Sequence, residues 1–194
     1  MGDLNKESIT LSIPVVLIGM PGSGKTTLGQ YLSQTWNLPF YDTDAVIEAR
    51  EGMSVRSFFG TYGEPAFRQT ETDAVKHLIE KGAAIIATGG GLPCFNANMA
   101  LLLRHTYPVF LDVPLITIAH RLGPDAGLIR PLFAGKNPEE IIKALTDMHA
   151  HRLPYYQQAL LSIKNPQPDE ETGKLIFEEY VKYLAGQKGK ILKN

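Results

Sequence analysis

The sequence predicts an α/β fold, a central parallel sheet covered by helices, on three observations. Short apolar, β-branched runs alternate with amphipathic segments along most of the 194 residues, the pattern of a parallel sheet with helices on both faces. The first such run, VVLIG, passes directly into MPGSGKTT, a strand–glycine loop–helix signature for binding phosphate. Gly19, Asp42 and Gly89 each fall at the carboxyl end of an expected strand, where open α/β sheets bind ligands.

Taken in order, residues 1–13 read as a loose leader and 15–19 as a strand buried on both faces. Leu28, Tyr31 and Leu32 recur at helical spacing over 25–35. Asn37-Leu38-Pro39 breaks that helix, and 40–41 is a short second strand ending at Asp42-Thr43-Asp44. Helices follow over about 45–51, stopped by Gly52, and over 55–62, capped by Ser54. Pro65 suits the first turn of another, in which Phe67, Glu71, Ala74, Val75, Leu78 and Ile79 keep a 3.6-residue period up to Gly82. Strands at 83–87, 109–111 and 160–163 and helices at 98–104, 115–122 and 172–184 continue the alternation. Pro138 opens a long helix that Pro154 is expected to kink or end. No repeat or linker interrupts residues 1–194, so a single domain is expected.

Bulk composition narrows the function classes. Hydrophobic residues make up 44% and charged residues 20%, an ordinary globular balance. A net charge of −1 argues against a broad nucleic-acid surface. The single cysteine, Cys94, excludes an internal disulfide framework and fits a reducing cytosol. No apolar run approaches a membrane span, and MGDLNKESIT has no secretory core. A cytoplasmic protein, probing neither membrane nor nucleic acid, is the expectation.

Several constellations carry chemistry. In the phosphate loop, Gly22, Ser23, Gly24, Lys25, Thr26 and Thr27 are the candidate nucleotide-binding residues. Glycines let backbone N–H groups wrap an anion, and the following helix adds its positive end. Lys25 would reach the β- and γ-phosphates and Thr26 would ligate Mg²⁺. Asp42 and Asp44, two apart at a strand end, are expected to point the same way. One would hold Mg²⁺ through water and the other orient or deprotonate a substrate hydroxyl; the competing reading makes Asp44 a helix N-cap. Arg68, four after Glu64 and three before Glu71, is either part of a surface ion-pair ladder or a guanidinium aimed by Glu71 at a substrate carboxylate. Gly89, Gly90 and Gly91 in succession imply very close approach by a ligand or by backbone. Residues 123–136, with Arg130 between Gly127 and Gly135, suit a mobile lid that excludes water. His149 and His151 have a poor metal spacing and read as surface groups, and Asp112 as an acid leading into the next helix.

Together these motifs resemble one family, shikimate kinase. They are Gly19-x-x-Gly22-x-Gly24-Lys25-Thr26, Phe40-x-Asp42-Thr43-Asp44-x-x-Ile47-Glu48, Gly63-Glu64-x-x-Phe67-Arg68-x-x-Glu71, Gly89-Gly90-Gly91, Arg130-Pro131-Leu132 and Arg152-x-Pro154-x-Tyr156. The phosphate loop is generic, whereas the six in this order are specific. The resemblance implies a three-layer α/β/α P-loop kinase fold with a substrate-binding segment at about 44–82 and a lid at about 123–136. It implies a monomeric, cytoplasmic enzyme that uses ATP and Mg²⁺ to phosphorylate the 3-hydroxyl of the small molecule shikimate. Lys25 and Arg130 would stabilise the transferring phosphoryl, with Thr26 and Asp42 serving the metal. Asp44 would hold the shikimate hydroxyls, Arg68 and Arg152 would clamp its carboxylate, and the Gly89, Gly90, Gly91 run would line its site. The family's adenine contacts would fall near Ser162 to Pro166, where the match is weak. The alternatives are another small-molecule kinase such as a gluconate kinase, a nucleotide-dependent switch, and a paralogue that binds nucleotide without catalysis. The switch lacks its D-x-x-G and N-K-x-D motifs here, and intact Lys25, Asp44, Arg68 and Arg130 speak against the inert paralogue.

Overall fold

The computed structural model describes residues 12–122 and 137–191. Five parallel strands, β1 (Val15–Ile18), β2 (Phe40–Asp42), β3 (Ile85–Ala87), β4 (Tyr107–Asp112) and β5 (Leu161–Lys164), form one sheet in the order β2-β3-β1-β4-β5. Around it lie α1 (Lys25–Trp36), α2 (Thr43–Glu51), α3 (Val55–Glu80), α4 (Asn98–His105), α5 (Leu115–Leu122), α6 (Pro138–Tyr156) and α7 (Glu170–Ile191), with a 3₁₀ turn at Leu92–Cys94. The predicted α/β class is the observed one.

The two-residue period of β1 sorts its side chains between two cores. Val16 and Ile18 join Val75 and Leu78 of α3, Met99 of α4, Ile118 of α5 and Leu145 of α6. Val15 and Leu17 join Leu28 and Leu32 of α1 and Ile176 and Tyr180 of α7. Each fully buried aliphatic side chain contributes about 1.5–3 kcal/mol relative to exposure, so β1 is held from both faces. A third cluster, Ile47, Phe58, Phe67 and Ala74, ties α2 to α3.

Element boundaries differ from expectation at four instructive places. The second strand stops at Asp42 and α2 starts at Thr43, two residues ahead of the expected start. Within α3, Gly63 (φ 77°, ψ 173°) interrupts the helix, and Pro65 lies just after it as expected. Pro154 does not stop α6, which runs on to Tyr156. Asp112 closes β4 three residues ahead of α5, not at that helix's N-cap. Residues 1–11 of the expected leader and the lid with Arg130 lie outside the described residues, whereas Ile13, at the end of that leader, exchanges hydrogen bonds with the Tyr180 hydroxyl. Among the described residues no helix is long and apolar enough to cross a membrane.

Candidate active site

The loop from β1 to α1 has the backbone its glycines foretell. Gly19, Gly22 and Gly24 take φ values of 145°, 79° and 92°, which L side chains rarely adopt. A Cβ at Gly19 would also lie 2.9 Å from the Leu111 carbonyl oxygen. Gly24 caps α1 with no side-chain hydrogen bond to the first turn, so no capping side chain competes for the N–H groups an anion would use. The Lys25 side chain is buried, and Nζ donates to the carbonyls of Gly19 (3.1 Å) and Met20 (2.8 Å). A cleft of about 470 Å³ opens here, lined by residues 22–28, by Asp42, Thr88 and Leu111 at strand ends, by Asp44, and by Arg121, Pro166, Gln167 and Pro168.

The strand-to-helix change falls between the two aspartates, so strand alternation does not relate them, although both line the cleft. Asp42 is the N-cap of α2: Oδ1 accepts from the Asp44 N–H at 3.0 Å, while Oδ2 accepts from the Thr26 hydroxyl at 2.8 Å. Asp44, in the first helical turn, is therefore not the cap. A Cβ at Gly89 would lie 2.7 Å from Asp44 Oδ1 and 2.7 Å from Glu71 Oε1.

That relation extends through the glycine run. A Cβ at Gly90 would lie 2.9 Å from Arg152 Nη1, and one at Gly91 2.8 Å from Arg68 Nη1. All three are under the distance real Cβ atoms tolerate, and together they meet three helices: α2 and α3 at Gly89, α6 at Gly90 and α3 again at Gly91. Backbone contacts secure the run, for the Gly89 N–H donates to Thr43 Oγ1 (2.8 Å) and the Tyr156 hydroxyl donates to the Gly90 carbonyl (2.7 Å). Tyr156 is fully buried and stacks on Phe110 at 5.1 Å.

Arg68 is not part of a solvated ladder. Its side chain is 13% exposed and that of Glu71 1%, and Arg68 Nη1 meets Glu71 Oε2 at 2.6 Å. Nε and Nη2 donate to Glu64 Oε1 at 3.1 and 2.8 Å. Burial pushes the Glu71 carboxyl up to about 7 against the pull of Arg68, and Asp44 adds a further upward push. Burial alone would lower the Arg68 guanidinium, but its charge and hydrogen-bond interactions with Glu71 and Glu64 together outweigh that and hold it above its ordinary value.

The structure thus brings Lys25, Thr26, Asp42 and Asp44 to one cleft, and Asp44, Arg68 and Arg152 to the three glycines. Sequence reasoning assigned no role to Tyr156, Thr43 or Phe95, and read Glu71 as a member of the helical period and as the partner of Arg68. Glu71 had a signal, since it shares the helical period of the buried Phe67, Ala74 and Leu78. His151 is exposed, and among the described residues no cluster of three or more His, Cys, Asp or Glu could hold a metal. Cys94 is half-buried, and its thiol is pushed up to about 11 by burial, so it stays protonated.

Comparison with known proteins gives the family. The family model for shikimate kinase matches residues 21–185. A shikimate kinase of Clostridium botulinum (strain 657 / Type Ba4) is 38% identical over 156 residues, 80% of this chain and 89% of that protein. The crystal structure of shikimate kinase from Bacteroides thetaiotaomicron superposes with a TM-score of 0.77 at 32% identity, covering 92% of this chain and 99% of the other. That of the Acinetobacter baumannii enzyme in complex with shikimate gives 0.77 at 30% identity, covering 86% and 92%. This chain belongs to the shikimate kinase family.

Proposed function

We propose that this chain transfers the γ-phosphoryl group of ATP to the 3-hydroxyl of shikimate, releasing shikimate 3-phosphate and ADP. As a member of its family it is an ATP-dependent kinase of a small-molecule alcohol. One observation carries the substrate half of the reading. Within three consecutive glycines, two arginines converge on Gly90 and Gly91 while two carboxyl groups converge on Gly89. Such a site has a cationic end for a carboxylate and an anionic end for hydroxyls, which suits a polyhydroxylated carboxylic acid.

In this reading the loop N–H groups and Lys25 take the β- and γ-phosphates, and Lys25 exchanges the Gly19 and Met20 carbonyls for phosphate oxygens. Arg130, from the 123–136 lid, adds a second positive charge and the lid excludes water. Arg121 with Pro166, Gln167 and Pro168, at the same cleft, forms the nucleobase wall. The hydroxyl of Thr26 and the carboxylate of Asp42, already 2.8 Å apart, are hard oxygen donors of the number Mg²⁺ accepts alongside waters and phosphates. When bound, the metal neutralises charge on the β- and γ-oxygens. Arg68 and Arg152 grip the carboxylate and so aim the hydroxyl. Asp44 orients that hydroxyl and takes its proton as the new P–O bond forms and the bond to ADP breaks. The transition state is loose, so positioning and charge matter more than a strong base. The reading treats residues 1–194 as one monomeric, cytoplasmic kinase domain.

The test is ADP release with Mg-ATP across shikimate, quinate and gluconate. Turnover is expected with shikimate well above the other two. Equal or greater turnover with gluconate would overturn the assignment.

A further inference from the structure

The proposed clamp needs the Arg68 guanidinium held in one plane, and the ion pairs alone do not hold it. Three of its five N–H groups are engaged, two by Glu64 and one by Glu71. Glu64 is 55% exposed, so that contact is screened by water. Glu71 fixes one nitrogen within the plane but does not resist tilting about that bond. The rings of Phe59 and Phe67 lie 5.7 and 5.5 Å from the guanidinium carbon, whereas the Phe95 ring centroid lies at 4.1 Å. Phe95 is the close cover.

The loop that carries Phe95 is built to keep it there. It follows the glycine run through the Leu92–Cys94 turn, and its next two residues, Asn96 and Ala97, both have left-handed φ values of 50° and 55°. Alanine has no side-chain hydrogen bond to offset that conformation. The loop is instead tied to the helix that bears Arg68. Asn96 Nδ2 donates to the carbonyl of Arg68 itself (3.1 Å) and to Thr72 Oγ1 (3.0 Å), and Asn98 Nδ2 donates to Thr72 Oγ1 (3.1 Å) and the Leu92 carbonyl (3.0 Å). Ring and amide thus engage the side chain and the main chain of one residue.

We propose that Phe95, anchored by Asn96, is a positioning residue that clamps the face of Arg68 and so sets the affinity for the substrate carboxylate. The two N–H groups of Arg68 left uncommitted, one on each terminal nitrogen, are then presented to the ligand in a fixed plane. This inference rests on the reading above, in which Arg68 receives that carboxylate.

Phe95 is 37% exposed and outside the three hydrophobic clusters, so its truncation spares the core. Phe95→Ala is expected to raise the KM for shikimate about three- to thirtyfold, the range of a partly desolvated cation–π contact. The kcat and the KM for ATP should stay within about twofold. Phe95→Tyr should restore the KM, while Phe95→Leu, which fills space without a π face, should not. Preference for shikimate over its carboxamide should shrink by the same factor in Phe95→Ala. Asn96→Ala, which leaves the ring in place but frees the loop, should show the same split at smaller size. An unchanged KM in Phe95→Ala, an equal loss for ATP, or full recovery by leucine would each overturn the clamp while leaving the kinase reading intact. Absence of shikimate turnover in the unsubstituted enzyme would remove both.

Discussion

Asp42, and not Asp44, does the capping work at the start of α2. Asp42 caps α2 with one oxygen and receives Thr26 with the other, so a capping role no longer competes at Asp44. Asp44→Asn is expected to leave nucleotide binding and stability near normal while kcat/KM for shikimate falls at least about a hundredfold, the scale of lost general-base help. Near-normal turnover at saturating Mg-ATP would rule the assignment out. Asp42→Asn retains a capping side chain, so its expected signature is a higher Mg²⁺ requirement with an unchanged melting temperature. Glu71 adds a pH term. Its carboxyl is pushed up to about 7 from 4.5, so between those values the folded state holds a proton that the unfolded chain has released. The stability it supplies is present below about pH 4.5 and is lost as pH rises towards 7. Glu71→Gln lacks this term, so melts at pH 5 and pH 7 should show the variant gaining on the parent as pH rises, at no more than about 1.4 kcal/mol per pH unit. A gap independent of pH would refute the buried-proton picture.

At the scale of elements, the phosphate loop was legible because its chemistry is local: strand, glycines, lysine and helix follow one another within residues 15–36. The glycine run was half legible. Three glycines announced close approach, but the groups that approach come from α2, α3 and α6, and no spacing in the chain joins Asp44, Arg68 and Arg152. The end of the second strand was misread because alternation and helix capping both place acidic residues there, and capping won at Asp42. Phe95 was invisible, since a lone aromatic between a cysteine and an asparagine has no pattern that points at an arginine 27 positions away. These packing relations separate two kinds of glycine. At Gly91 a Cβ would press on the Arg68 guanidinium, so Gly91→Ala should raise the KM for shikimate about tenfold or more and barely move that for ATP. At Gly52, where φ is 68° and nothing lies within 4 Å, alanine should cost about 1 kcal/mol in stability without altering either KM. Steady-state kinetics with thermal melts on both variants distinguish local strain from an intruding methyl group.

For the molecule as a whole, β1 is the first described strand in the chain and the middle one in the sheet. Val15 pairs with Ile85 and with Tyr107, partners 70 and 92 positions downstream. The carbonyl against which Gly19 is packed belongs to Leu111. Contacts of such long range form late, because loop closure must precede them. In refolding followed by pulsed hydrogen exchange, the amides of β1 and β4 should become protected together, and competence to bind nucleotide should appear with them. Protection of β1 well before β4 would contradict this. On the ribosome the delay becomes a stretch of time. At about 5–20 residues per second, the 93 residues from Gly19 to Leu111 take about 5–20 s to make. Through most of that interval the nascent chain carries the phosphate-loop sequence without the Leu111 carbonyl that packs against it, so ATP is expected to become a ligand only once synthesis has passed β4.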